Sequence, residues 1–149
     1  MLQARLFIRH ATSALTLMLT TVGALSEEPA SAPAPALKLE LNGAQPSQKG
    51  CRLTFVVNNM LGTELSKAAF EIALFSKDGV VDRLTVLDFK ELPAGKTKVA
   101  RFDLSGVDCA RIGRVLVNHA TECAGDGIEP TACLRQLKTE TKTGITFGT

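Results

Sequence analysis

The chain has 149 residues, room for a single domain, with 17 lysines and arginines, 15 aspartates and glutamates, and neither tryptophan nor tyrosine. Arg5 and Arg9 sit in the N-terminal segment, so the remainder carries 15 basic and 15 acidic residues with no basic cluster. That balance leaves no electrostatic footprint for nucleic acid or an anionic membrane. The missing Trp and Tyr exclude the buried tryptophan and tyrosine corner of antibody-type domains.

Residues 1–26 have the three-part layout of a secretory signal. Arg5, Arg9 and His10 make a basic start, and an apolar run from Ala14 reaches Val22. Val22-Gly23-Ala24 and Ala24-Leu25-Ser26 are the two candidate cleavage sites. The run is too short to span a bilayer as a stable helix. No Arg-Arg pair and no following cysteine is present, so general export without a lipid or membrane anchor is expected. Residues 27–36, Glu-Glu-Pro-Ala-Ser-Ala-Pro-Ala-Pro-Ala, read as an extended linker. The folded domain is expected over 37–149.

Leu37–Leu41 alternates apolar and polar and predicts a first strand, broken at Asn42-Gly43 and Pro46. In Cys51–Asn59, Cys51, Leu53, Phe55 and Val57 share one face, the pattern of a half-buried central strand. Leu65–Phe70 has the spacing of a helical turn at most. Ala69–Phe75 and Val80–Phe89 follow as strands around Ser76-Lys77-Asp78-Gly79, a hairpin turn by its chemistry. Leu84 and Val86 share one face of the second of these. Lys96–Leu104 places Ala100, Phe102 and Leu104 inward and Lys98 and Arg101 outward, charges that discourage edge pairing. Arg111–Asn118 makes a sixth strand and Leu134–Phe147 a seventh, with no convincing helix. Seven short strands between turn signals predict an all-β, antiparallel, immunoglobulin-like β-sandwich.

The four cysteines are Cys51, Cys109, Cys123 and Cys133, an even number in an exported chain, which implies disulfides. If successive strands run up and down, Cys51 and Cys109 fall at one end of the sandwich and Cys123 and Cys133 at the other. The expected bridges are therefore Cys51–Cys109 and Cys123–Cys133, stabilising by roughly 4 and 3 kcal/mol respectively in the loop-entropy account. Gaps of 57, 13 and 9 residues do not suit a four-cysteine zinc site, and there is no Cys-x-x-Cys redox motif.

His119 is the one histidine after the leader, and it precedes Glu122, Asp126 and Glu129 around the Cys123–Cys133 loop. This acidic loop is the candidate for a ligand, metal or recognition site. The plainer reading, a solvated connection tied by a disulfide, is preferred, since Asp126-Gly127 lacks the further ligands of a calcium loop. No serine is flanked as a nucleophile elbow, no phosphate-binding glycine loop is present, and no catalytic residue, metal or cofactor is expected.

The leader, the Ala-Pro linker, Asn58-Asn59, Ala69–Phe75, Asp78-Gly79, Leu92-Pro93-Ala94-Gly95 and Phe102-Asp103-Leu104 together resemble bacterial periplasmic proteins with immunoglobulin- or fibronectin-III-like folds. In particular they resemble a group of small exported proteins of alphaproteobacteria. The resemblance implies a fold and brings no catalytic residues. The expected function is a non-enzymatic structural or protein-interaction module of the cell envelope with a protein partner, engaged by a sheet edge or by the Cys123–Cys133 loop. The alternative is a periplasmic protein that binds a small ligand or metal through the His119–Cys133 loop.

Overall fold

The computed structural model describes residues 32–149, so the expected signal (1–26) and the linker up to residue 31 lie outside the described residues. Residues Pro33–Thr149 form one compact unit. The elements in order are β1 (Ala36–Ser47), β2 (Gly50–Met60), β3 (Leu65–Ser76), β4 (Val81–Leu92), β5 (Thr97–Ser105), a 3-10 turn (Cys109–Arg111), β6 (Ile112–Ala124), α1 (Ala132–Arg135), β7 (Leu137–Thr141) and β8 (Thr146–Gly148). They make two four-stranded sheets, ordered β5-β2-β1-β7 and β4-β3-β6-β8.

The alternation in β2 does what period-two burial requires. Cys51, Leu53, Phe55 and Val57 are all essentially inaccessible, and with Leu37, Leu39 and Leu41 of β1 they face Phe70, Ile72, Leu74, Leu87, Phe89, Val115 and Val117 of the other sheet. In place of Trp and Tyr, phenylalanines bridge the layers. Phe55 meets Phe89 edge-on at 5.7 Å and Phe147 at 5.6 Å, and Phe89 meets Phe102 at 5.0 Å. Edge-to-face pairs of this kind add about 1 kcal/mol each beyond the area they bury.

Disulfides join Cys51 to Cys109 and Cys123 to Cys133. The first ties the start of β2 to the 3-10 turn ahead of β6, so it staples one sheet to the other. A Cβ at Gly50, the residue before Cys51, would collide with the Leu104 carbonyl oxygen, so glycine is required where β2 is pressed against β5.

Several boundaries differ from the sequence expectation. The strand β1 begins at Ala36, inside the expected linker, and runs through Gly43 and Pro46 to Ser47. A bulge between Leu41 and Gly43 absorbs Asn42, and β7 ends its pairing at Leu41, leaving the proline on a free edge. The expected helical turn at Leu65–Phe70 is extended strand. Bulges at Leu65/Ala68 and Ala68/Ala69 bury Leu65, Ala68 and Ala69 with a spacing that imitates a helix. The expected seventh strand is three elements: α1, then β7 in one sheet and β8 in the other. The break has a local cause, because the Thr141 hydroxyl accepts from the Thr143 N–H at 3.1 Å and the Thr143 hydroxyl from the Ile145 N–H at 3.1 Å, which turns the chain at Gly144. Among the described residues the count is thus eight strands, and the sheets are mixed: β1–β7 and β6–β8 pair parallel.

Lys98 also departs from expectation. It lies opposite the buried Val57, on the inner face with Ala100 and Phe102, and its ammonium donates to the Phe89 and Glu91 carbonyls of β4 at 3.0 and 2.8 Å. Its stem covers the open side between the sheets while the charge finds oxygen at the rim.

Asn59 is a buried polar side chain, 1 % exposed, and its amide is fully used. Its Nδ2 donates to the Thr63 and Leu92 carbonyls at 2.9 and 2.8 Å, and its Oδ1 accepts from the Leu61 N–H at 3.1 Å. One side chain thereby holds the β2–β3 loop against the end of β4. Asn59→Ala strands those groups without water and is expected to cost about 3 kcal/mol, read as a lowered urea midpoint with an unchanged slope.

Candidate functional site

His119 and Glu122 lie within β6, not in a loop, because that strand continues to Ala124. Register shifts opposite Ala69/Phe70 and Glu71/Ile72 disturb its alternation and hide its second half from sequence reading. The structure does not converge the four expected residues. His119 Nδ1 lies 3.4 Å from Glu71 Oε1, an oxygen that also accepts from Asn118 Nδ2 at 2.7 Å. Glu122 instead pairs with Lys67 at 2.8 Å, and its carboxylate holds the lysine pKa above the ordinary value. Asp126 takes part through its backbone, its carbonyl accepting from the Thr63 hydroxyl at 3.4 Å. The Glu129 carbonyl accepts from the Ala132 N–H at 2.8 Å and starts α1. Among the described residues, no three His, Cys, Asp or Glu side chains are placed to hold a metal ion.

Two features fix this end of the molecule. A Cβ at Gly125 would collide with the Glu64 carbonyl oxygen, so β6 and the start of β3 approach as only glycine permits. The Cys123–Cys133 bridge then folds α1 back on β6, leaving a hollow of 370 Å³ lined by His119, Ala120, Pro130, Thr131, Leu134 and Arg135.

Sequence reasoning missed Glu71, and with it the surface to which Glu71 belongs. On the outer face of β4-β3-β6 the register sets three rows across three strands: Val86–Glu71–His119, Leu84–Ala73–Leu116 and Val81–Phe75–Arg114. Leu84, Val86 and Val81 are 56, 52 and 51 % exposed. Ala73 faces outward too, yet is only 4 % exposed, because Leu84 and Leu116 flank it in the same row. The apolar strip is therefore continuous across three strands. The available sequence signal was the odd-numbered set of β3 together with Leu84 and Val86 on one face of β4.

The outer face of the other sheet has a different chemistry. Arg52 grips Asp103 with two hydrogen bonds of 3.0 Å, Asn58 donates to the Thr97 hydroxyl at 3.0 Å, and Lys142 lies 3.8 Å from Glu40. The Arg52 guanidinium holds the Asp103 carboxyl below the usual aspartate range. That face laces paired polar groups around one exposed valine, Val99, whereas the β4-β3-β6 face leaves Leu84, Val86 and Val81 together in water.

The free edge of β4 is shielded. Lys98 occupies two of its carbonyls, Arg83 Nη1 donates to the Ser105 carbonyl at 2.9 Å, and Lys90 adopts a left-handed φ of 63°. Asp88 holds that kink, its Oδ1 accepting from the Lys90 N–H at 2.9 Å and its Oδ2 from the ammonium at 2.6 Å. A kinked edge that already has lysine on its carbonyls resists the addition of another strand.

No protein-family model matches the chain, and no curated protein matches it. Among solved structures it is similar to the Salmonella enterica trimeric lipoprotein SadB, at 22% identity and a TM-score of 0.41. The alignment covers 47% of this chain and 40% of that one, less than half of either.

The Lys90 hydrogen bonds lower the Asp88 pKa from its ordinary 3.8. A carboxylate with a depressed folded-state pKa contributes stability that is complete above the unfolded value and is lost as pH falls through the folded one. The thermal midpoint is accordingly expected to fall between pH 4 and lower pH by less in Asp88→Asn than in the wild type, measured by circular dichroism from about pH 6 to about pH 2.5.

Proposed function

We propose that this chain is an exported, immunoglobulin-like β-sandwich that acts as a non-enzymatic protein-interaction module of a bacterial cell envelope. Its contact surface in this reading is the outer face of β4-β3-β6. The observation that carries the reading is the continuous strip of Leu84, Ala73 and Leu116 with Val81 and Val86 beside it, set against an opposite face where Val99 is the large apolar side chain left exposed among paired polar groups. The shielding of the β4 edge favours contact through the sheet face over addition of a partner strand.

The strand order supports the immunoglobulin-like assignment. The arrangement β5-β2-β1 facing β4-β3-β6 corresponds to strands E-B-A facing C′-C-F. Two disulfides in a small domain support an oxidising compartment, and the signal-like layout of residues 1–26 supports export to the periplasm or beyond.

A photo-crosslinking residue at Leu84, introduced in cells that make the protein natively, is expected to yield a defined protein adduct. The same residue at Val99, equally exposed on the opposite outer face, is expected to yield none. Equal labelling from both positions, or none from Leu84, overturns the assignment of the face.

A second reading places a small ligand in the hollow beside His119, favoured by its apolar lining of Ala120, Pro130 and Leu134 and its basic rim of His119 and Arg135. It predicts a thermal shift of several degrees with an amphiphilic carboxylate such as a short fatty acid, abolished by Arg135→Ala. No shift across such a panel removes this reading.

A further inference from the structure

We propose that Asn42 is a site of spontaneous covalent modification, where the side-chain amide is lost as ammonia and the residue becomes aspartate or isoaspartate. The inference is independent of which face meets a partner.

The nucleophile is the backbone nitrogen of Gly43, and the carbon it attacks is Asn42 Cγ. A side chain on the following residue crowds that approach, and Gly43 has none. Nothing in the packing asks for glycine at this position. A Cβ there would lie 3.7 Å from Thr54 Cβ, an ordinary contact, and the backbone is not left-handed. Gly50 and Gly125 are different, because the fold uses their missing Cβ to bring backbone close.

Asn42 is exposed, and it is the residue that the β1 bulge leaves without a partner on β2. On the other side β7 pairs no farther than Leu41. A residue held in no ladder can turn its backbone to bring the Gly43 nitrogen onto Cγ, as a fully paired strand cannot. The carboxamide is tethered at the surface, its Nδ2 donating to Glu40 Oε1 at 2.8 Å.

Asn118 offers the same setting with one difference. It too is exposed, it is skipped by the register between β3 and β6, and its Nδ2 donates to a glutamate, Glu71, at 2.7 Å. The residue after it is His119, whose side chain stands in the path of attack. Asn42 and Asn118 thus isolate the effect of one missing side chain.

The reaction needs water and no other co-reactant. The Gly43 nitrogen loses its proton and bonds to Asn42 Cγ as the Cγ–Nδ2 bond breaks. Ammonia departs with that proton and leaves a cyclic imide. Water then opens the ring. Addition at Cγ gives aspartate in the normal backbone, and addition at the former Asn42 carbonyl carbon gives isoaspartate, with the chain routed through the side chain. Either product puts a carboxylate near Glu40 in place of an amide that donated to it, with Lys142 3.8 Å from Glu40 as the cation at hand. The longer isoaspartyl backbone throws no β7 pairing out of register, since that pairing has already ended.

The test is incubation of the purified protein, both disulfides formed, at about 37 °C and about pH 8, with peptic mapping by mass spectrometry at acid pH. Wild-type Asn42 is expected to gain about 1 Da, and the protein to elute as a more acidic species on ion exchange. The rate is expected to rise with pH, because the attacking nitrogen must lose its proton. Asn118 is expected to convert at least about tenfold more slowly, and Gly43→Ala to slow Asn42 by a similar factor with an unchanged circular dichroism spectrum. Equal rates at Asn42 and Asn118, or an unaltered rate in folded Gly43→Ala, overturn the proposal. So does an Asn42 that stays intact while a synthetic Leu39–Gln45 peptide converts. If Gly43→Ala loses its fold, the comparison of Asn42 with Asn118 in the wild type decides by itself.

Discussion

The contact between Phe55 and Phe89 is the point from which the two sheets take their relation to each other. It lies at the centre of an interior with no indole and no phenol, where ring faces and edges must supply the bulk that larger aromatics supply elsewhere. Phe55 also touches Phe102 and Phe147, one on the neighbouring strand of its own sheet and one on the last strand of the other. The central strand, the β5 edge and the C-terminal segment thus converge on one side chain. The Cys51–Cys109 bridge lies four residues before Phe55 along β2 and limits how far the layers can slide.

Closure of the two layers follows from that centre. The C-terminal segment ends β7 beside β1 and then crosses, so that β8 extends the opposite sheet and brings Phe147 onto Phe55. On the other side Lys98 and Arg83 reach across the gap to backbone carbonyls. One side is closed by chain and the other by long cationic side chains. Both arrangements use polar groups that would otherwise face an open sheet edge.

The two outer faces differ in chemistry. One pairs Arg52 with Asp103 and Asn58 with Thr97. The other exposes Leu84, Val86 and Val81 around an alanine that its neighbours cover.

From the residues alone, alternation located the core strand Cys51–Asn59 and the two-sheet all-β class, because burial on one face imposes a period of two regardless of which strands are neighbours, while Asp78-Gly79 marked the turn by its chemistry. The cysteines are the same in character: strand direction alternates along the chain, so the ends at which Cys51, Cys109, Cys123 and Cys133 lie follow from counting strands. What only the tertiary structure decided were the bulges and the pairings. The strand β6 runs on through His119 because β3 offers it a partner to Ala124, and Leu65–Phe70 is extended because bulges there bury residues at helical spacing. In sequence, His119, Glu122, Asp126 and Glu129 lie close enough to suggest a candidate site beside the preferred reading of a solvated loop. Glu71 and Lys67, distant in the chain, take His119 and Glu122 separately, since register alone decides which carboxylate a side chain on a neighbouring strand can reach.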